Sequence, residues 1–88
     1  MKDKTDKTIK VYSAAWCQPC KQLKATLQQL NLSSNLEFIL IDEQPELAKQ
    51  LGIRSVPTTI IYQGDTEVQR ISGNNPNEIM KATHAEVI

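Results

Sequence analysis

Ile9-Lys10-Val11-Tyr12-Ser13-Ala14-Ala15-Trp16-Cys17-Gln18-Pro19-Cys20-Lys21 changes its periodicity partway along. Ile9 to Ser13 alternates apolar and polar residues and carries β-branched and aromatic side chains, which predicts a strand. From Gln18 the apolar set Cys20, Leu23, Leu27 and Leu30 recurs at spacings of three and four, one face of an amphipathic helix reaching about Leu32. Pro19 falls in the first turn, where a missing N–H is tolerated. A strand that runs into a helix through a pair of cysteines is the core of the reading.

The rest of the chain extends it. Asn31 and Ser33-Ser34-Asn35 end the helix. Leu36 to Ile41 is almost continuously apolar and predicts a central strand covered on both faces. Pro45 to Leu51 reads as a short helix with Leu47, Ala48 and Leu51 inward and Gly52 as its stop. Thr58 to Tyr62, a Gly64-Asp65 turn and Glu67 to Ile71 form a hairpin. Asn75, Pro76 and Glu78 are a helix start with the spacing of a capping box, and that helix runs through Ile79, Met80, Thr83 and Val87. The order is β-α-β-α-β-β-α. With a right-handed crossover it builds a four-stranded mixed sheet between helices, a three-layer α/β/α sandwich. Residues 1–8 are expected to be a disordered polar tail and 9–88 the domain.

Composition fits one small soluble domain: 88 residues, 40% hydrophobic and 23% charged. Such a chain buries only about 60% of its unfolded surface. Ten basic residues balance ten acidic ones, which removes the bulk electrostatic case for nucleic acid or an anionic membrane. Phe38 to Ile41, the longest apolar run, is far short of the roughly 20 residues of a membrane span. The polar N-terminus does not read as a secretory signal, so a cytoplasmic protein is expected; a monomer is expected as well. One asymmetry stands out: between Lys7 and Leu36 there are four lysines, Lys7, Lys10, Lys21 and Lys24, and no acidic residue. Both cysteines lie within it.

Three readings of Cys17 and Cys20 compete. Zinc needs about four nitrogen or sulfur ligands, and beyond these two cysteines the chain offers only His84. A structural disulfide closing so short a loop contributes roughly 2 kcal/mol on chain-entropy grounds, and the chain carries no secretory address. The third reading is a dithiol that is used chemically. A thiolate at a helix N-terminus faces unpaired N–H groups and the positive end of the macrodipole, and Lys21 and Lys24 add charge of the helpful sign. Three-residue spacing puts Cys20 one turn below Cys17, close enough to attack a mixed disulfide formed there. Cys17 is then the exposed nucleophile and Cys20 the resolving thiol.

Trp16-Cys17-Gln18-Pro19-Cys20-Lys21 after a strand resembles the active site of the thioredoxin superfamily. Leu51-Gly52-Ile53-Arg54-Ser55-Val56-Pro57-Thr58 resembles its cis-proline segment, and the Gly64 turn and Ser72-Gly73 continue the match. The resemblance covers about residues 9–88. It implies a thioredoxin-like fold and a protein-disulfide reductase with a redox-active Cys17–Cys20 disulfide and no bound cofactor. It also implies that Trp16, Val56, Pro57 and Gly73 meet the substrate, with Trp16 exposed on the rim and Pro57 cis. Val56 would offer its backbone to an extended substrate segment as a short added strand. Tyr12 and Phe38 are expected to pack, and His84 to face solvent.

Two subfamilies mix here. The length and the Val-Tyr-Ser lead-in resemble glutaredoxin; Trp-Cys-X-Pro-Cys-Lys and Gly-Ile-Arg before Val-Pro-Thr resemble thioredoxin. Thioredoxins typically carry a buried Asp six residues before the first cysteine, where this chain has Val11. Glutaredoxins usually have Lys or Arg three before it, where this chain has Ala14. Asn74 and Asn75 stand where glutaredoxins hold the γ-glutamyl end of glutathione. Protein-disulfide reduction fed by thioredoxin reductase is the favoured expectation. Glutathione as reductant, in a glutaredoxin-type reaction, and a redox-silent binding module are the alternatives.

Overall fold

The computed structural model describes residues 7–29 and 35–84, the last two by their backbone alone. Its elements are β1 (Lys7–Ser13), α1 (Gln18–Gln29), β2 (Asn35–Leu40), α2 (Pro45–Leu51), β3 (Thr58–Gln63), β4 (Thr66–Ser72) and α3 (Pro76–His84). The strands form one sheet in the order β2-β1-β3-β4. β1 pairs parallel with β2, setting Val11 opposite Phe38, and antiparallel with β3, setting Val11 opposite Thr59. This is the mixed sheet and element order that the sequence predicts.

Alternation along the strands sorts side chains into two layers. On one face Ile9, Val11, Ile61 and Ile71 pack beneath Leu23 and Leu27 of α1 and Ile79 and Ala82 of α3. On the other, Tyr12, Ile39 and Tyr62 meet Leu47 and Leu51 of α2 around a cavity of about 310 Å³. α2 stops at Gly52, whose φ of 70° is left-handed backbone that suits glycine.

Three local expectations are corrected, and the expected hairpin stands with one added feature. β1 begins at Lys7, so Lys7 and Thr8 belong to the sheet and not to the tail; Thr8 has partners in both neighbouring strands, Asn35 and Tyr62. β2 begins at Asn35 and is an edge strand, not a central one. Its apolar run has another cause: Leu36 and Phe38 pack on the core under α1, while Ile39 faces the α2 side. The hairpin turns at Gly64-Asp65, but β4 carries a bulge that passes over Val68 and leaves it half exposed. Among the described residues no capping-box hydrogen bond forms: the Asn75 Nδ2 donates to the Ser72 carbonyl (2.6 Å), and the Glu78 carboxylate lies 4.0 Å from the Lys81 ammonium. The end of the first helix near Leu32, Val87 and the side chains of Thr83 and His84 lie outside the described residues.

Tyr12 is 2% exposed, and burial followed by its hydrogen bond to Tyr62 pushes its phenol well above the ordinary value of 10. Tyrosine ionises to an anion, so above pH 10 an unfolded chain loses this proton while the folded chain keeps it. Stability linked to Tyr12 is therefore complete below about pH 10 and drains away as pH rises, by at most about 1.4 kcal/mol per pH unit. Urea midpoints measured from pH 8 to 11 should fall less steeply for Tyr12→Phe than for the unsubstituted chain. Equal slopes would remove Tyr12 as the cause.

Candidate active site at the head of the first helix

Cys17 occupies the residue just before α1 and caps it with sulfur. Its Sγ accepts the Cys20 N–H (3.2 Å), its carbonyl accepts the Lys21 N–H (3.3 Å), and its own N–H donates to the Ala14 carbonyl (3.1 Å). Cys17 and Cys20 are joined as a disulfide, with Cα atoms 5.3 Å apart. The first turn of α1 holds no acidic residue. Nothing there competes with an anionic sulfur for the helix N–H groups.

Burial differs from expectation. Cys17 is 4% exposed and Cys20 3%, so Cys17 is not an exposed residue in this disulfide state. Its sulfur is turned inward onto the Cys20 sulfur and amide, and Ala14, Ile41 and Val56 pack around the pair. Trp16 stands out from the same turn at 71% exposure, as the resemblance implies.

A second segment completes the site. The Val56–Pro57 peptide bond is cis, as the resemblance implies. Val56 packs against the cysteine cluster, and the Thr58 hydroxyl donates to the Ser55 carbonyl (2.7 Å), locking the approach to β3. Among the described residues, the backbone N–H and C=O of Val56 make no hydrogen bond. The Pro57 carbonyl accepts the Gly73 N–H (2.8 Å). Gly73 has a φ of 84°, backbone that a side chain would strain. Cys17, Cys20, Val56, Pro57 and Gly73 thus converge where β1 ends and β3 begins.

Other expected residues sit further off or are occupied. Lys21 is exposed on the first turn of α1. Lys24 lies seven residues past Cys17, about 10 Å along the axis, with its ammonium 5.2 Å from the centre of the Phe38 ring. That places it over an aromatic face rather than beside sulfur. Asn74 reaches Gln22 (3.4 Å) and Asn75 holds Ser72, so both amides expected to meet glutathione are engaged within the chain. Among the described residues no three His, Cys, Asp or Glu side chains gather to hold a metal.

Sequence reasoning missed Ile41 as a wall of the site. Its N–H bonds to the Ser13 carbonyl (2.8 Å), carrying the β1–β2 pairing up to the cysteines. The apolar run ending at Ile41 was the available signal. The brace from Thr58 to Ser55 had no separate signal.

The family model described as Thioredoxin matches residues 1–86. The chain is 33% identical to a thioredoxin of Alicyclobacillus acidocaldarius over 94% of its own length and 84% of the relative's. It is 36% identical to thioredoxin Asp f 29 of Aspergillus fumigatus, over 85% of this chain and 73% of that one. The structure of oxidised mitochondrial thioredoxin 3 of Saccharomyces cerevisiae superposes with a TM-score of 0.80 at 26% identity, covering 91% of this chain and 78% of the other.

The two halves of the site predict separable defects. Pro57→Ala should lower turnover with a protein disulfide by about tenfold or more and change alkylation of Cys17 less than twofold. The proline shapes the docking segment, whereas the sulfur is held by α1. Equal losses in both assays would contradict this division.

Proposed function

The chain belongs to the thioredoxin family, and from that premise we propose how its residues share the work of a protein-disulfide oxidoreductase. Family membership and the Cys17–Cys20 pair make it a thiol–disulfide oxidoreductase acting on disulfide-containing proteins, with its own redox-active disulfide and no bound cofactor. Cys17 is the attacking thiolate. It forms a bond to one substrate sulfur while the other leaves with the electron pair and takes up a proton. Cys20 then loses its proton and attacks the Cys17 sulfur. The Cys17–Cys20 bond forms, the substrate's second sulfur leaves and is protonated, and two electrons have passed to the substrate.

The observation that carries this assignment is the Cys17 sulfur on the α1 amide beside the open backbone of Val56. A substrate strand pairing with Val56 would lie next to the disulfide, with Trp16 and Gly73 flanking it. Lys21 adds positive charge to the first turn. Lys24, held over Phe38, acts at longer range.

Thioredoxin reductase is the proposed electron donor and the cytoplasm the proposed compartment. The similarity to thioredoxins supports the first, and the engaged Asn74 and Asn75 amides weigh against glutathione. Oxidised protein should be reduced by NADPH with thioredoxin reductase at least tenfold faster than by glutathione with its own reductase. The reverse ranking would assign the glutathione system. In parallel, Cys20→Ser should accumulate a mixed disulfide with a protein substrate and Cys17→Ser should not; the opposite pattern would exchange their roles.

A further inference from the structure

Thr59 has no exposed surface, and among the described residues its Oγ1 is the one buried side-chain nitrogen or oxygen without a hydrogen-bond partner. Valine has the same shape and would avoid the cost of a buried, unsatisfied hydroxyl, so the threonine calls for a physical reason. Its position supplies one. Thr59 pairs with Val11 on one side and Ile71 on the other, both in the core beneath α1 and α3. Directly paired residues share a face of the sheet, so the hydroxyl lies in the layer that α1 covers.

Depth along that layer points to Cys20. Val56 packs against the cysteine cluster, so β3 enters at the level of the disulfide. Thr59 lies about 7 Å further along the strand than Pro57. Cys20 lies about 4.5 Å along α1 from Cys17, and Leu23 a further 4.5 Å beyond it. The buried residues of α1 are Cys20, Leu23 and Leu27, and of these only Cys20, the one nearest the disulfide end of β3, can accept a hydrogen bond. While the disulfide is closed its sulfur is a weak acceptor. Once open, it is a thiol or a thiolate, and a thiolate is a strong one.

We propose that the Thr59 hydroxyl donates a hydrogen bond to Cys20 Sγ when the Cys17–Cys20 bond is open, supporting the thiolate that resolves the mixed disulfide. This rests on the assignment of Cys17 as attacker and Cys20 as resolver. Burial disfavours the Cys20 anion, and a donor aimed at the charged form offsets part of that penalty. Thr59 keeps its own proton; the Cys20 proton leaves to solvent. The thiolate then forms the bond to Cys17, the Cys17–substrate bond breaks, and the departing substrate sulfur takes up a proton. Cys17 packs against Cys20, and the charged groups nearest in sequence to the residues that meet it are Lys21 and Lys24 on α1, Asp42 and Glu43 after Ile41, and Arg54 before Val56, all of them exposed. β1 and α3 face this layer with Val11, Ile79 and Ala82, which do not titrate.

The test uses Thr59→Val and Thr59→Ser in the full chain. Reduced protein is mixed with a disulfide-bonded peptide, and mixed-disulfide decay is followed by rapid quench from pH 6 to 10. Thr59→Val should resolve about tenfold more slowly near neutral pH, with the inflection of its rate profile about one unit higher. Thr59→Ser should restore rate and inflection, and Cys17 alkylation should stay the same in all three proteins. An unchanged inflection in Thr59→Val, or no rescue by serine, overturns the inference and leaves the roles of the cysteines standing. If no mixed disulfide forms on Cys17 in the unsubstituted protein, the assignment of roles fails and the inference fails with it.

Discussion

The backbone N–H groups at the head of α1 have no carbonyls within the helix to receive them, and this chain answers them with sulfur. Pro19 removes one donor outright. The Cys17 N–H is taken by Ala14, and the Cys20 N–H by the Cys17 sulfur. The cap is therefore also the atom proposed to attack, and its helix end favours negative charge whenever the disulfide opens. Everything else in the site is placed relative to that end. β1 delivers the chain to it, and Ile41 and Val56 wall it in. The absence of acidic residues in the first turn leaves its field unopposed.

The sheet makes this arrangement rigid. β1 and β3 are the two central strands, and the cysteines follow one while Val56–Pro57 precedes the other. Antiparallel pairing of the two strands brings the end of β1 and the start of β3 to the same edge. Fully buried residues on both strands, Ile9, Val11, Thr59, Ile60 and Ile61, hold that edge in place, while Trp16 projects from it into solvent. An inward-facing disulfide beside an exposed aromatic ring suits a site that must meet large partners yet protect its sulfur between encounters.

Much of this was legible in the sequence because it is local. The change of periodicity at the cysteines marks a strand-to-helix joint, Gly64-Asp65 marks a two-residue turn, and the Pro19 position fits only the first turn of a helix. What escaped depends on tertiary placement. A run such as Leu36 to Ile41 has apolar residues for both faces whether its strand is central or at the edge, so hydropathy cannot order the sheet. Lys7 and Thr8 join β1 through backbone pairing, which polar side chains neither announce nor forbid. The Asn75–Glu78 spacing fits a capping box, yet the Asn75 side chain is oriented by its donation to the Ser72 carbonyl, a choice that spacing does not encode. Burial of Cys17 follows from which way its sulfur turns, and no spacing rule encodes that. Charge was legible as a run of lysines, but the Phe38 ring on a neighbouring strand decides where Lys24 puts its ammonium.

In the proposed reaction the N-terminus of α1, rather than general exposure, activates Cys17. Alkylation of Cys17 in the Cys20→Ser protein, followed from pH 5 to 10, tests it most directly. The account predicts a single inflection at least one pH unit below the roughly 8.5 of a free thiol, with Lys24→Ala moving it by less than a third of a unit. An inflection at or above the free-thiol value would contradict it.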